Sequence, residues 1–536
     1  MQGETGHKQE QWGSRLGVIL AVMGSAIGLG NFLRFPGLAA KYGGGHFMVP
    51  YFIALLLLGL PIAWTEWSIG RMGGEKGYHS TPGIFRELLH RKWGSYIGVL
   101  GLIIPVGIYM YYVYIESWCL YYAISYLNGS ILMGSDAGSY ESFFLGFIGS
   151  HADGSLLQHG PSMGVLIMLG CFVLNFAIIY RGLANGIELV SKYAIPVLML
   201  CAIGVLIRVL TLGTPNPDLP EQNVLNGLGY MWNPGISEYV NSEGVLVPAQ
   251  SFWQALANPE MWMDATGQIF FSLSVGFGII ITYASYLRRK DDVLLSGTTS
   301  AAGNLFAEVA LGGMITVPAA FIFLGPGTNF GSTFGLGFIS LPYVFANMPL
   351  GQLVGFLWFA LLFLAALTSS LSMLQPAIAF FEEGLGVSRR LSTAILAFIT
   401  LTGSLFFVIF SKDSKALDYM DFWIGTVFIY ILATILVIIF SWRIGVKAGM
   451  DHAHDGSHIR IPQIFHFVLK YVSPVYLVVV FAFWMYGTIG KKVQEFMDGG
   501  APTYTGLFIL LLLGFLTWLV WIANQRWDSA EKNKEA

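Results

Sequence analysis

Residues 24–36 read GSAIGLGNFLRFP. Three glycines, a serine, an asparagine, an arginine and a proline stand in a segment otherwise apolar enough to enter a bilayer. An unwound turn in a spanning helix frees N–H and C=O groups that hydrocarbon cannot satisfy, so such a turn is tolerated only where it lines a protein-enclosed cavity or binds something. The half-helix that begins after Gly28 to Gly30 points free N–H groups and a positive dipole end at that cavity, which favours a carboxylate. Carbonyls of the half that ends near Gly24 to Ile27 favour a cation. One break can serve both.

The rest of the chain supports a membrane setting. Of 536 residues, 55% are hydrophobic and only 11% charged, with a mean hydropathy of +0.64, too little polar surface for a soluble globule. Runs close to the roughly 20 apolar residues a spanning helix needs fall at 15–40, 46–70, 94–127, 164–180, 188–212, 266–287, 297–325, 352–381, 391–411, 419–442, 464–490 and 504–524. The expected fold is an all-α polytopic membrane protein of about 12 transmembrane helices. No small-residue cleavage site follows a short apolar core, so the first span reads as retained. Cys119, Cys171 and Cys201 all lie in apolar runs and read as buried small hydrophobes. A net charge of −3 carries no nucleic-acid footprint.

Lys and Arg cluster in alternate connections: Arg71 to Lys92, Arg288 to Lys290, Arg389 and Arg390, and Arg443 to Arg460. The long connections at 128–163, 214–263 and 326–350 have none, and four lysines (Lys412, Lys415, Lys491, Lys492) depart from the pattern. The positive-inside rule makes the basic set cytoplasmic and, with an even number of spans, both termini as well, in a cell inner (plasma) membrane. The glycine-, proline- and aromatic-rich outer connections suit packed lids. The domain plan is a cytoplasmic tail at 1–11, one membrane domain at 12–527 and a polar tail at 528–536.

The sixth run contains SLSVGFG, Ser272 to Gly278, which matches SAIGLG in the first. Five spans separate the two, so the second copy enters from the opposite side, the inverted-repeat pattern in which matching glycine-interrupted helices mark a transporter's binding site. The repeats run about 12–213 and 264–445, with two further helices after them. Oxygen ligands for a hard monovalent cation stand mid-span at Asn31, Ser272, Asn304, Thr368 and Ser369; several carboxylates would instead favour a divalent ion. Intramembrane charge defaults to function. Arg34 follows the break by about one turn and Asp421 opens the tenth run, both on the outer side, where they could close the cavity mouth. Glu66, Glu116 and Glu308 are buried carboxylates, and Glu66 is expected to accept N–H groups near the broken first helix.

Together these stretches resemble the neurotransmitter:sodium symporter family, nearest to its bacterial amino-acid transporters such as the leucine transporter, from Trp12 to the last span. The motifs that carry the resemblance are WGSRLGVILAVMGSAIGLGNFLRFP, YGGGHFMVPY, YYVYIESW, QIFFSLSVGFGIIITYASY, LTSSLSMLQP and MDFWIGT. It implies a five-plus-five inverted repeat with unwound first and sixth helices. It also implies two Na⁺ sites. The first comprises the Ala26 carbonyl, Asn31, Ser272, Asn304 and the substrate carboxylate; the second the carbonyls of Gly24, Ile27 and Ala365 with the hydroxyls of Thr368 and Ser369. The substrate carboxylate would meet the N–H groups of Leu29 and Gly30 and the Tyr112 hydroxyl, and its ammonium the carbonyls of Ala26, Phe271 and Ser274. Ser25, Ile108, Tyr112, Phe271, Ser272, Ser274, Phe277, Ser369 and Met373 would complete the pocket. Arg34 and Asp421 match the outer gate; Trp12, Lys8, Tyr286 and Glu383 match the inner one.

Departures from the leucine transporter, judged by resemblance, are Ser25, Ser272 and Met373, and the inner-gate arginine is replaced by Gln9 with Lys8 beside it. Glu308 matches the carboxylate that stands in for chloride in chloride-independent members. GIELVSKYAIP, Gly186 to Pro196, matches a motif linked to unwinding of the fifth helix as the cytoplasmic sodium path opens.

The expected function is sodium-coupled symport of neutral hydrophobic L-amino acids, with Na⁺, the amino acid and membrane lipid as partners, no nucleic acid, and homodimerisation left open. A same-fold transporter or sensor for another small solute is the alternative. A sodium channel would need a continuous polar pore. No enzyme motif appears, and the histidine cluster DHAHDGSH, 451–458, reads as solvated surface rather than a metal site.

Overall fold

The structure, a computed structural model, describes residues 10–134, 136–234, 239–240, 246–247, 251–325 and 333–535. Among the described residues, nine helices are each long and apolar enough to cross a bilayer: Gly45–Glu75, Trp93–Leu127, Leu183–Leu210, Val293–Leu324, Gly351–Leu385, Arg389–Ile409, Lys412–His454, Ile464–Met497 and Ala501–Asn533. They are spans two, three, five and seven to twelve. The fourth is the shorter Met163–Ile179, and the first and sixth are broken, which accounts for every apolar run. The tenth helix overshoots its apolar run and continues to His454.

The first span is Arg15–Ala26 followed by Gly30–Lys41, bent by 51°. The chain leaves the helix at Ile27, whose ψ of 98° is extended. The sixth is Pro259–Leu273 followed by Ile279–Ser285. Ser274, Gly276 and Gly278 between them are left-handed, with φ of 53°, 78° and 83°; the two glycines adopt this at no steric cost. A Cβ on Gly278 would lie 2.7 Å from the Gly101 carbonyl oxygen of the third span, so that break is pressed against its neighbour.

The third and eighth helices pack along each other, and the first, second, sixth and seventh pack together. The connections on the face opposite the basic clusters are built rather than loose. They include helices Ala137–Phe147, Val224–Trp232, Phe252–Leu256 and Leu341–Ala346 and an antiparallel pairing of Tyr239–Val240 with Leu246–Val247. Cys119 and Cys171 are buried, and all three cysteines are free.

On the basic face the histidine segment keeps His458 largely exposed, yet it is tied to the helices beside it. Arg71, wholly buried, donates to the carbonyls of Asp291 (2.8 Å), Asp455 (3.0 Å) and His452. Asp292 accepts the His458 N–H at 2.8 Å and the Ser457 hydroxyl at 2.9 Å, with Arg15 at 3.4 Å. Burial alone would raise the Asp292 carboxyl, but hydrogen bonds from His458, Leu295 and Ser457 bring it down to about 2. The segment is a clamp: backbone carbonyls need partners wherever they are buried, and Arg71 supplies them.

Candidate binding site at the paired helix breaks

The break in the first span diverts four backbone groups from their helical partners. In a regular helix the N–H of Gly28 would meet the carbonyl of Gly24, and that of Leu29 the carbonyl of Ser25. Here the Gly28 N–H donates to Asn31 Oδ1 at 2.9 Å and the Leu29 N–H reaches the Tyr112 hydroxyl at 3.4 Å. The released carbonyls are taken up across the site: Ser369 Oγ lies 3.3 Å from both the Gly24 and Ser25 oxygens, and Ser274 Oγ donates to Ser25 O at 2.9 Å. Side chains of the third, sixth and eighth spans thus hold open what the first leaves unpaired.

Two groups of oxygens result. Asn31 Nδ2 donates to Asn304 Oδ1 at 2.8 Å, and Asn304 Nδ2 to Ser272 Oγ at 2.6 Å. This chain brings three neutral oxygen-bearing side chains of the first, sixth and seventh spans together beside the Ala26 break. Its far end is anchored by Glu308, which accepts from Ser272, from Gln268 and from the Tyr51 hydroxyl (2.7 Å). Gln268 also donates to the Gly30 carbonyl at 3.3 Å, so one carboxylate braces both breaks. The second group is Gly24, Thr368 and Ser369: a Cβ on Gly24 would lie 3.1 Å from Thr368 Cβ. Thr368 Oγ1 lies 3.2 Å from the Ala365 carbonyl. The donors are uncharged oxygens in dry surroundings, a set that suits a small hard monovalent cation.

Above the breaks lies a cavity of about 200 Å³ lined by Leu29, Gly30, Arg34, Tyr112, Phe271 and Asp421, among others. Phe271 and Phe277 meet edge to face with centroids 6.0 Å apart. Ile108, Phe277 and Met373 are buried and do not line this cavity. Arg34 stands over the Phe271 ring at 5.4 Å, and Asp421 accepts from the Tyr111 hydroxyl at 2.6 Å. Both expected outer-gate residues face one cavity, each engaged by an aromatic side chain.

The sodium:neurotransmitter symporter family model matches residues 9–137 and 231–524. The chain belongs to that family. This symporter is 30% identical to a sodium-dependent transporter of Methanocaldococcus jannaschii, over 88% of this chain and 90% of that one. It is 27% identical to one of Haemophilus influenzae, over 89% and 98%. Among solved structures, MhsT in complex with L-phenylalanine superposes with a TM-score of 0.73 at 28% identity, over 88% of this chain and 99% of that one. The symporter is therefore a sodium-dependent, multi-pass membrane transporter with the unwound first and sixth helices of its family.

At the basic face, the Trp12 indole donates to the Tyr283 carbonyl at 3.0 Å and packs edge-on against its ring. Tyr286 stacks on His79 with centroids 4.3 Å apart and accepts from Gln375 at 3.4 Å. Glu383 accepts the N–H groups of His79 and Ser80 and the Ser80 hydroxyl, so its carboxylate faces the connection after the second span. Lys8 lies outside the described residues. An ion pair that the sequence reading missed joins the same segment: Glu10 to Arg389 at 2.9 Å. Arg389 also donates to the Ile179 carbonyl at 2.6 Å. A cleft of about 680 Å³ opens there, walled by Glu10, His79, Tyr286, Glu383 and Arg389.

One further placement differs from expectation. Glu66 accepts the N–H of Gly276 at 2.7 Å, in the break of the sixth helix rather than the first. Residues 186–196 are helical: Leu183–Glu188 form a π-turn that runs into Leu189–Leu210. Gln268, Tyr51 and Glu188 were also missed. A glutamate or glutamine inside an apolar run was the available signal for Gln268 and Glu188, and Tyr51 had none beyond its place in YGGGHFMVPY.

Proposed function

We propose that this symporter takes up a neutral, apolar L-amino acid with two Na⁺ by alternating access, without chloride, from the inner membrane of a cell with both termini cytoplasmic. The observation that carries this reading is the diversion of the Gly28 and Leu29 N–H groups and the Gly24 and Ser25 carbonyls. It leaves donors suited to a carboxylate beside oxygens suited to cations, so substrate and ions occupy one break and stabilise each other's binding.

Each group has a defined task. Asn31, Ser272 and Asn304 hold the ion nearest the substrate carboxylate, and Thr368 and Ser369 hold the other with carbonyls of Gly24, Ile27 and Ala365. The Tyr112 hydroxyl and the N–H groups of Leu29 and Gly30 receive the carboxylate. Phe271 and Phe277 cover the side chain, which Ile108 and Met373 surround with apolar surface. Glu308 supplies the fixed negative charge that chloride would otherwise bring. Two charges falling through ~100 mV yield about 4.6 kcal/mol. A roughly tenfold sodium gradient adds about 2.7 kcal/mol for two ions. Together they support accumulation on the order of 10⁵-fold. The L-phenylalanine bound to MhsT supports a large apolar side chain.

The test is uptake of a panel of labelled amino acids into proteoliposomes, with choline replacing sodium in parallel and Asn31→Ala as control. Uptake of an apolar amino acid that collapses in choline and in the variant is expected. Sodium-indifferent uptake would overturn the coupling, and transport of no amino acid would overturn the substrate class.

A further inference from the structure

Two buried carboxylates flank the oxygen groups, and they are satisfied differently. Glu308 meets a donor on each oxygen, Gln268 on Oε1 and both Tyr51 and Ser272 on Oε2. Glu116 of the third span, wholly buried, takes both of its donors on Oε2: the Ser370 hydroxyl at 2.6 Å and Asn175 Nδ2 at 3.0 Å. Among the described residues no donor meets Glu116 Oε1 or Asn175 Oδ1. Buried polar groups are hydrogen-bonded as a rule, so two bare acceptors mark a place of uncompensated negative potential. The titratable groups facing it are Tyr109, Tyr112 and Cys119 of its own span and Cys171 of the fourth. The eighth span presents Ser370, Asp421 of the tenth is turned to Tyr111, and no described Lys, Arg or His pairs with Glu116.

This place lies directly behind the second oxygen group. Tyr112 precedes Glu116 by one helical turn on the same face, and its hydroxyl reaches the Leu29 N–H at 3.4 Å. A Cβ on Gly28 would lie 3.1 Å from that hydroxyl and 3.2 Å from Ser369 Oγ. Ser370 follows Thr368 and Ser369 in the chain; Ser369 turns to the Gly24 carbonyl and Ser370 to Glu116. With consecutive Cα atoms about 3.8 Å apart, the carboxylate stands roughly 8 Å from a cation held by Thr368 and Ser369. That cation would meet only carbonyls and hydroxyls, whereas the first group has Glu308 bonded to Ser272.

We propose that Glu116 is the ionised counter-charge of the second oxygen group: it acts through space, from behind Ser370, to hold the cation, and its protonation weakens that hold. The inference rests on the two-ion reading above. A unit charge roughly 8 Å away, at an effective dielectric near ~20, strengthens cation binding by at least about tenfold.

The experiment is equilibrium binding of radioactive sodium to the purified full-length transporter, without amino acid, over a pH series. Without amino acid the first group lacks the substrate carboxylate, so the bound sodium reads the second. The unaltered protein is expected to bind sodium more tightly as pH rises, because deprotonation of Glu116 supplies the charge. Glu116→Gln is expected to lower the affinity about tenfold and to flatten the profile, and Glu116→Asp, which keeps the charge, to restore most of both. Ser370→Ala cuts the contact to the eighth span and leaves the charge in place, so its affinity is expected within about threefold of the unaltered protein, with the pH slope intact. A loss in Ser370→Ala equal to that in Glu116→Gln would overturn the proposal, since a carboxylate that only orders the eighth span acts through that hydroxyl. So would a flat profile in the unaltered protein, a measurement that needs no variant to fold. Intact binding in Glu116→Gln overturns this inference alone, whereas an unaltered protein that binds no sodium at any pH overturns the ion reading beneath it.

Discussion

Ser274 donates its hydroxyl to the carbonyl of Ser25 at 2.9 Å and receives the Ser25 hydroxyl at 3.3 Å. The two interrupted helices are thus tied to each other at the residues where both lose their regular bonds. Ser274 holds a left-handed φ of 53°, a conformation that costs a non-glycine residue on the order of 1 kcal/mol, and the cross-helix bonds offset that cost. Ser274→Ala keeps the backbone strain and removes both bonds, each worth about 1 kcal/mol. Apparent affinity for the transported amino acid should fall about tenfold with expression and melting little changed. Ser274→Gly, which relieves the strain, should recover part of the loss, as read by uptake against substrate concentration.

Glu308 is wholly buried and meets three side-chain donors, Ser272, Gln268 and Tyr51. If it supplies the negative charge of the site, wild-type uptake is indifferent to replacing chloride with gluconate. Glu308→Ser, which leaves a small hydroxyl and a space, should lose most uptake in gluconate and recover it with rising chloride. Loss that chloride cannot restore would assign Glu308 to bracing alone.

Arg389 and Glu10 join the start of the ninth span to the segment before Trp12. Both are partly exposed, so the pair is worth about 0.5–1 kcal/mol after solvent screening, and its meaning lies in coupling. With a cysteine at Tyr283, beneath Trp12, Glu10→Gln and Arg389→Gln should each speed alkylation. In the double variant Glu10→Gln should add nothing further. Arg389→Gln should be the stronger single change because it also abandons the Ile179 carbonyl.

His79 sits in the connection after the second span, and burial pushes its imidazole down to about 4. An open state restores the ordinary value near ~6.5. Protonation is therefore easier when the stack on Tyr286 is broken. The closed form is at full strength above pH ~6.5 and weakens progressively as pH falls toward about 4. The Tyr283→Cys labelling rate should rise over that window. The measure is its ratio to the same reporter in His79→Phe, which cancels the reagent's own pH dependence; a flat ratio would remove His79 from the closure.

The spans and their two interruptions were legible because each rests on a run of neighbouring residues. Apolar stretches set the helices, and glycines at 24, 28, 30, 276 and 278 permitted the breaks. The partners of single polar groups were not legible, since they depend on contacts between residues more than 160 positions apart. Glu66 was expected to meet N–H groups near the first break, yet its carboxylate meets Gly276. Asp455 and His458 look like loop residues until Arg71 and Asp292 are placed beside them. Glu188 was read only as part of a helix-unwinding motif, and its contact with the Gly13 N–H exists only in three dimensions.

The Arg71 and Asp292 clamp has a mechanical meaning. It rivets the basic ends of the second and seventh helices to a single short segment after the tenth. A rod fixed at one end moves most at the other: a rotation of about 5° acting over the ~30 Å of hydrocarbon carries the far end by roughly 3 Å. The clamp thus holds those two helices at one end, and a small adjustment there becomes a larger displacement at the opposite face of the bundle.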